Sequence, residues 1–125
     1  GFTLGPWSVE PTRNTISRDG VERHLENRLM QTLLFLAEHP GQTLSREQFF
    51  DSVWQGRVVN EEALSRAISL LRSVLDDNAQ SPRFIQTIPG VGYRLIADVV
   101  VPAEAAADSH EAEVVVRPAH RLGHG

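Results

Sequence analysis

Residues 58–75, VVNEEALSRAISLLRSVL, constrain this chain more than any other stretch. Leu64, Ile68, Leu71 and Leu75 recur at i, i+4, i+7 and i+11, which makes one apolar stripe at helical period. Glu62, Ser65, Arg66, Ser69, Arg72 and Ser73 fall on the other side, which is short, polar and carries two arginines. Asn60 suits an N-cap, and Glu61 and Glu62 fall in the first turn, where the positive end of the helix dipole favours carboxylates. Such a helix seats its leucines on a core and turns the serine-and-arginine side outward. That side faces either water or a ligand, and the flanking sequence decides between them.

The chain has 125 residues, enough for one domain with a modest core. It contains no cysteine, which excludes disulfides and Cys-based zinc sites and is compatible with a reducing compartment. No apolar run approaches the roughly 20 residues that span a bilayer. Gly1–Glu10 lacks a basic start and an apolar run, so no signal peptide is expected there. The net charge of −4 argues at face value against nucleic acid. Its distribution weakens that objection. Five acidic and two basic residues lie from Asp98 onward, which leaves eleven acidic and ten basic groups in residues 1–97. All twelve basic side chains other than histidine are arginine.

Phe2–Glu10, Asn14–Ser17 and Val21–Leu25 are short β-favouring runs, separated by Gly5-Pro6 and Arg18-Asp19-Gly20. They predict an antiparallel meander with Trp7, Val9, Ile16 and Leu25 inward. Glu26–His39 is predicted helical, with Leu29, Met30, Leu33, Leu34, Leu36 and Ala37 as its apolar face and Pro40-Gly41 as its stop. Thr43-Leu44 is a brief extended link. Ser45-Arg46-Glu47-Gln48 fits a capping box ahead of a second helix, Arg46–Trp54, anchored by Phe49, Phe50 and Val53. A loop at 55–59 leads to the two-faced helix, expected to end near Asp76. After a polar linker, Asp77–Pro82, the runs Phe84–Ile88 and Tyr93–Val99 flank Pro89-Gly90-Val91-Gly92. That reads as a hairpin with two glycines free to take positive φ.

The expected fold class is therefore α+β: an N-terminal antiparallel sheet, three helices and a C-terminal hairpin. The second and third helices form a helix-turn-helix, and the hairpin after them is the wing of a winged helix. The domain is expected to span 1–101. Residues 102–125 are Ala- and Glu-rich and read as a flexible linker or tail, with Val114–Val116 as a stray β-favouring run.

SREQFFDSVW, VVNEEALSRAISLLRSVLDD and PRFIQTIPGVGYRLIA resemble the OmpR/PhoB-type winged-helix effector domain across roughly residues 2–97. The opening F-x-x-G-x-W-x-V-x-P-x-x-N and the Glu-Asn-Arg-Leu-Met at 26–30 look more like the CadC/ToxR branch, in which a linker and one membrane span follow the domain. The resemblance implies sequence-specific binding of double-stranded promoter DNA and control of transcription. The helix 61–75 would enter the major groove, and the wing 84–97 would approach the neighbouring minor groove. It also implies dimers on tandem sites, a contact to RNA polymerase through the loop 55–60, no cofactor, and a cytoplasmic position tethered to the inner membrane in the full-length protein. Two alternatives remain: an output domain cut from a two-component response regulator, and a winged helix used for protein contact.

Each candidate contact has a plainer counterpart. Arg66 suits guanine O6 and N7, and Arg72 suits a base or a phosphate; either is otherwise a solvated arginine. Ser65, Ser69 and Ser73 allow close approach, or are simply small surface residues. Arg46 at a helix N-terminus can aid phosphate binding. Trp54 resembles a family tryptophan that packs in the core and donates its indole N–H to phosphate. Thr87 and Tyr93 are carried over by resemblance as phosphate contacts. Pro89 stands where some relatives place a minor-groove arginine, for which Arg94 is a substitute. Glu61 and Glu62 depart from the family pattern and repel phosphate; Glu62 could instead accept from cytosine N4. Enzymatic readings find no support. His24 and His39 lack a partner in any catalytic motif, Gly90-x-Gly92 is not a phosphate loop, and His120 and His124 have metal spacing only if helical.

Overall fold

The computed structural model describes residues 1–57, 59–102 and 113–116. The strands β1 (Phe2–Leu4), β2 (Trp7–Glu10), β3 (Thr15–Arg18) and β4 (Val21–His24) come first. They are followed by α1 (Asn27–Ala37), β5 (Thr43–Ser45), α2 (Arg46–Val53) and α3 (Glu61–Leu75), then by β6 (Ile85–Ile88), β7 (Gly92–Leu95), β8 (Val99–Pro102) and β9 (Glu113–Val116). The first four strands form the expected meander. Arg18 pairs with Val21 across a two-residue turn in which Asp19 and Gly20 both take positive φ, the geometry that matches the twist of a hairpin. Strand alternation buries Leu4, Trp7, Val9 and Ile16, and Leu25 follows them inward.

Two elements differ from the sequence reading. Tyr93–Val99 is not one strand. The chain leaves β7 after Leu95, and the Asp98 carbonyl accepts from the Gly5 amide at 3.0 Å. β8 then joins the N-terminal sheet beside β1, giving the order β4-β3-β2-β1-β8-β9. The link at Thr43-Leu44 is a third strand of the wing sheet, ordered β5-β7-β6. The β-favouring run at 114–116 does form a strand: β9 pairs antiparallel with β8, Val100 opposite Val115. Residues 103–112 and 117–125, with His120 and His124, lie outside the described residues.

The helices close one core over both sheets. α1 packs against α2, α3 and β7. Phe49 of α2 is fully buried, with its ring edge-on to Phe35 of α1 and to Tyr93 of β7. One aromatic thus ties three elements, each contact adding about 0.5–1.5 kcal/mol beyond burial. The capping box forms as expected: the Ser45 hydroxyl accepts from the Gln48 amide at 3.2 Å, and the Ser45 amide donates to Gln48 Oε1 at 2.8 Å. Asn60 occupies the N-cap position of α3, and its carbonyl accepts from the Ala63 amide. Its side chain, contrary to expectation, makes no capping bond.

α3 is locked at its C-terminal end. The last four carbonyls of a helix have no partner within it, and here all four find one. The Arg72 carbonyl accepts from the Asp77 amide at 2.7 Å and the Ser73 carbonyl from the Asp76 amide at 3.2 Å, with Asp76 left-handed at φ 60°. The Val74 carbonyl accepts from Arg23 Nη1 of β4 at 2.6 Å, and the Leu75 carbonyl accepts from the Trp7 indole of β2 at 3.2 Å. Leu64, Ile68, Leu71 and Leu75 are buried as the stripe requires. Burial of each such side chain contributes about 1.5–3 kcal/mol. The result is a helix-turn-helix followed by a hairpin, a winged helix.

Candidate nucleic-acid interface

With its stripe buried and its end fixed, α3 exposes Glu61, Glu62, Ser65, Arg66, Ser69, Leu70 and Ser73. The serines and Arg66 therefore lie where the sequence put them, on one accessible face. Arg66 makes no side-chain hydrogen bond or ion pair with another described residue. Glu62 sits one turn before it, yet no ion pair joins the two.

Arg72 does not project outward as expected. Its position borders the buried stripe, and its side chain spans to the hairpin. Nε and Nη2 donate to the Ile85 carbonyl at 3.3 and 2.9 Å, and Nη2 also donates to the Thr87 hydroxyl at 2.8 Å. Arg72 is thus the brace between α3 and β6. Thr87 is exposed but holds this bond. Arg94 is likewise engaged: Nε and Nη2 donate to Gln86 Oε1 of the facing strand at 3.2 and 2.6 Å. Its guanidinium therefore lies along the β6–β7 pair. Tyr93 is half-buried on Phe49 and pairs across the strands with Thr87 and Leu44.

Trp54 follows α2 as its C-cap and is only 7% exposed. Its ring lies edge-on to Phe50 and beneath the Arg28 guanidinium, 5.4 Å from the ring centre. Arg28 also donates to the Val53 carbonyl at the end of α2. The core role of Trp54 is thereby plain. Arg46 is the first residue of α2 and is exposed; its backbone amide donates to the Val91 carbonyl at 3.3 Å, which sets it beside the wing turn. In that turn Gly90 takes φ 76° as expected. Gly92 is needed for a different reason. A Cβ there would fall 1.9 Å from the Leu44 carbonyl oxygen across the β5–β7 pair.

The arginines sort cleanly. Arg13, Arg18 and Arg23 pair with Glu22, Asp19 and Asp76. Arg28, Arg72, Arg83 and Arg94 donate to groups of the domain itself. Among the described residues, Arg46, Arg57 and Arg66 are left with exposed, unengaged guanidinium groups. One begins α2, one lies in the loop after it, and one stands on α3. Arg57 was not singled out from sequence, because a loop arginine has no periodicity to mark it. Asp77 was also missed. Its carboxylate accepts from the amides of Arg83, Phe84 and Ile85 at 2.7, 3.3 and 2.9 Å, which fixes the start of β6. Among the described residues no cluster of three or more His, Asp or Glu is arranged to hold a metal. No helix there is long and apolar enough to cross a membrane.

Known proteins share this fold. The family described as "Transcriptional regulatory protein, C terminal" matches residues 20–95. The transcriptional activator CadC of Escherichia coli is 42% identical over 98 residues, covering 78% of this chain and 19% of its own length. The cholera toxin transcriptional activator of Vibrio cholerae is 36% identical over 118 residues, covering 90% of this chain and 40% of its own. The chain therefore spans less than half of these relatives. The solved DNA-binding domain of E. coli CadC superposes with a TM-score of 0.71 at 39% identity, covering 78% of this chain and 92% of that one. The DNA-binding domain of Klebsiella pneumoniae RstA, solved in complex with the RstA box, gives 0.66 at 27% identity and covers 74% and 93%. With the family match running through α1, both helices of the helix-turn-helix and the wing, this chain belongs to the OmpR/PhoB-type transcriptional regulatory domains and has CadC- and ToxR-like activators among its relatives.

Proposed function

We propose that the domain binds double-stranded promoter DNA sequence-specifically and regulates transcription. On this reading α3 lies in the major groove, Arg66 reads base edges and the serines permit close approach. Arg46 and Arg57 hold phosphates on either side, and the hairpin approaches the adjacent minor groove. The observation that carries the reading is the placement of the three unengaged arginines on the helix-turn-helix. The other seven arginines of residues 1–97 are engaged in internal bonds and ion pairs.

The likeness to CadC and to the cholera toxin activator supports a cytoplasmic effector domain of a membrane-anchored one-component activator, with the span in sequence beyond this chain. The loop 55–60 is exposed at Gln55, Gly56 and Arg57 and suits a contact to RNA polymerase. Tandem operator sites would be filled by two copies. Response regulators share the fold at lower identity, as with Thermotoga maritima DrrB at 31% identity and a TM-score of 0.67. An upstream receiver domain in the full gene would move the assignment to that class.

Gel shifts on promoter DNA across a salt series test the binding. Each neutralised phosphate contributes a slope of about −0.9 in log K against log salt. Arg46→Ala and Arg57→Ala should each make the slope shallower by about that amount. Absence of salt-dependent binding in both the parent domain and Glu62→Gln would overturn the proposal in favour of a protein-contact domain.

A further inference from the structure

Leu70 is an apolar residue on the wrong side of its helix. It is 40% exposed, whereas Leu64, Ile68, Leu71 and Leu75 are all buried. Among the described residues the only other large hydrophobic side chains so exposed are Val21 and Val91, neither of which lies on a helix. Helical geometry sets Leu70 one turn beyond Arg66, about 6 Å along the axis and about 40° around it. Ser73 lies three residues further on, on the same outer flank. The isobutyl group has no donor or acceptor, so it can serve neither phosphate nor the polar edges of bases. In the major groove the apolar group that a base offers is the C5-methyl of thymine.

We propose that Leu70 is a specificity-determining residue that packs on the 5-methyl group of one thymine, next to the base pair read by Arg66. The inference rests on the proposed seating of α3 in the major groove. The contact removes one methyl group and part of the leucine from water. It therefore selects a T·A pair at one orientation by shape, where a serine or arginine would select by hydrogen bonding. It also gives a near-neutral domain a base contact whose strength does not decline with salt.

Deoxyuridine tests this directly, since it pairs like thymine and lacks only the methyl group. A tight-binding duplex is first selected from a random pool by the domain. Each thymine is then replaced in turn by deoxyuridine, and affinity is measured by fluorescence anisotropy for the parent domain, Leu70→Ala and Arg66→Ala. Alanine is a strong helix former at this exposed position, and circular dichroism confirms that the fold is kept. At one thymine the parent should weaken roughly fourfold, the value of one buried methyl, while Leu70→Ala is indifferent to the replacement. Arg66→Ala should retain that methyl effect. Equal sensitivity of the parent and Leu70→Ala at every thymine overturns the inference, and if Arg66→Ala still loses its base preference the seating of α3 stands. Failure to recover any preferred duplex from the pool would overturn both.

Discussion

Arg66 and Glu62 share one face of α3 one turn apart and do not pair. An arginine held by a carboxylate would need to break that contact before meeting guanine; this one is available from the start. Arg66→Ala should lower preference for the cognate site by about 1–3 kcal/mol at one base pair, with little change in binding to random DNA. Competition gel shifts with single-base operator variants measure it, and equal losses on cognate and random duplexes would make Arg66 a phosphate contact. Gly92 carries a different kind of requirement. Its missing Cβ leaves room for the Leu44 carbonyl, and the clash is with backbone, which cannot rotate away. Gly92→Ala should destabilise the domain by about 2–3 kcal/mol, read from urea unfolding midpoints.

At the scale of elements, the hairpin hangs on two side chains, Arg72 and Asp77. Asp77 gathers three consecutive amides at the start of β6, and Arg72 ties the Ile85 carbonyl and Thr87 hydroxyl to α3. Asp77→Ala should cost about 1–3 kcal/mol, because it leaves partly buried amides without an acceptor, and amide exchange should accelerate first in β6 and β7. Uniform acceleration across the domain would mean that the wing does not open separately. Local rules made much of this architecture legible. The Ser45 capping box, the Pro40-Gly41 stop, the leucine stripe of α3 and the inward Trp7, Val9 and Ile16 all follow from spacing of a few residues. The rest depends on partners far along the chain. No local rule says that Arg72 turns to Ile85, that Asp77 belongs to β6, or that the run after Leu95 leaves the wing to pair with β1. The candidate face divides the same way. Ser65, Arg66, Ser69 and Ser73 were readable from helical period, whereas the engagement of Arg72 and Arg94 and the availability of Arg57 required the tertiary fold.

Across the whole molecule, the N-terminal sheet acts as the mount for α3. Trp7 reaches from β2 to the Leu75 carbonyl, while Arg18 and Arg23 lie over its ring at 5.2 and 5.3 Å. Arg23 also binds the Val74 carbonyl and pairs with Asp76. The sheet thus holds the end of α3 far from Arg66, and a disturbance there changes stability without touching the proposed contacts. Trp7→Phe keeps an aromatic ring in the site but removes the N–H that satisfies the Leu75 carbonyl. The expected cost is about 1–2 kcal/mol. For a domain of this size that lowers the midpoint of thermal unfolding by roughly 4–16 °C. Well below that midpoint, the ratio of cognate to random binding should match the parent, and the salt slope should be unchanged. Calorimetry and anisotropy on the same samples separate the two quantities. A fall in the ratio without a fall in stability would mean that the sheet sets the angle of α3 against its ligand, and that the mount does more than hold the helix in place.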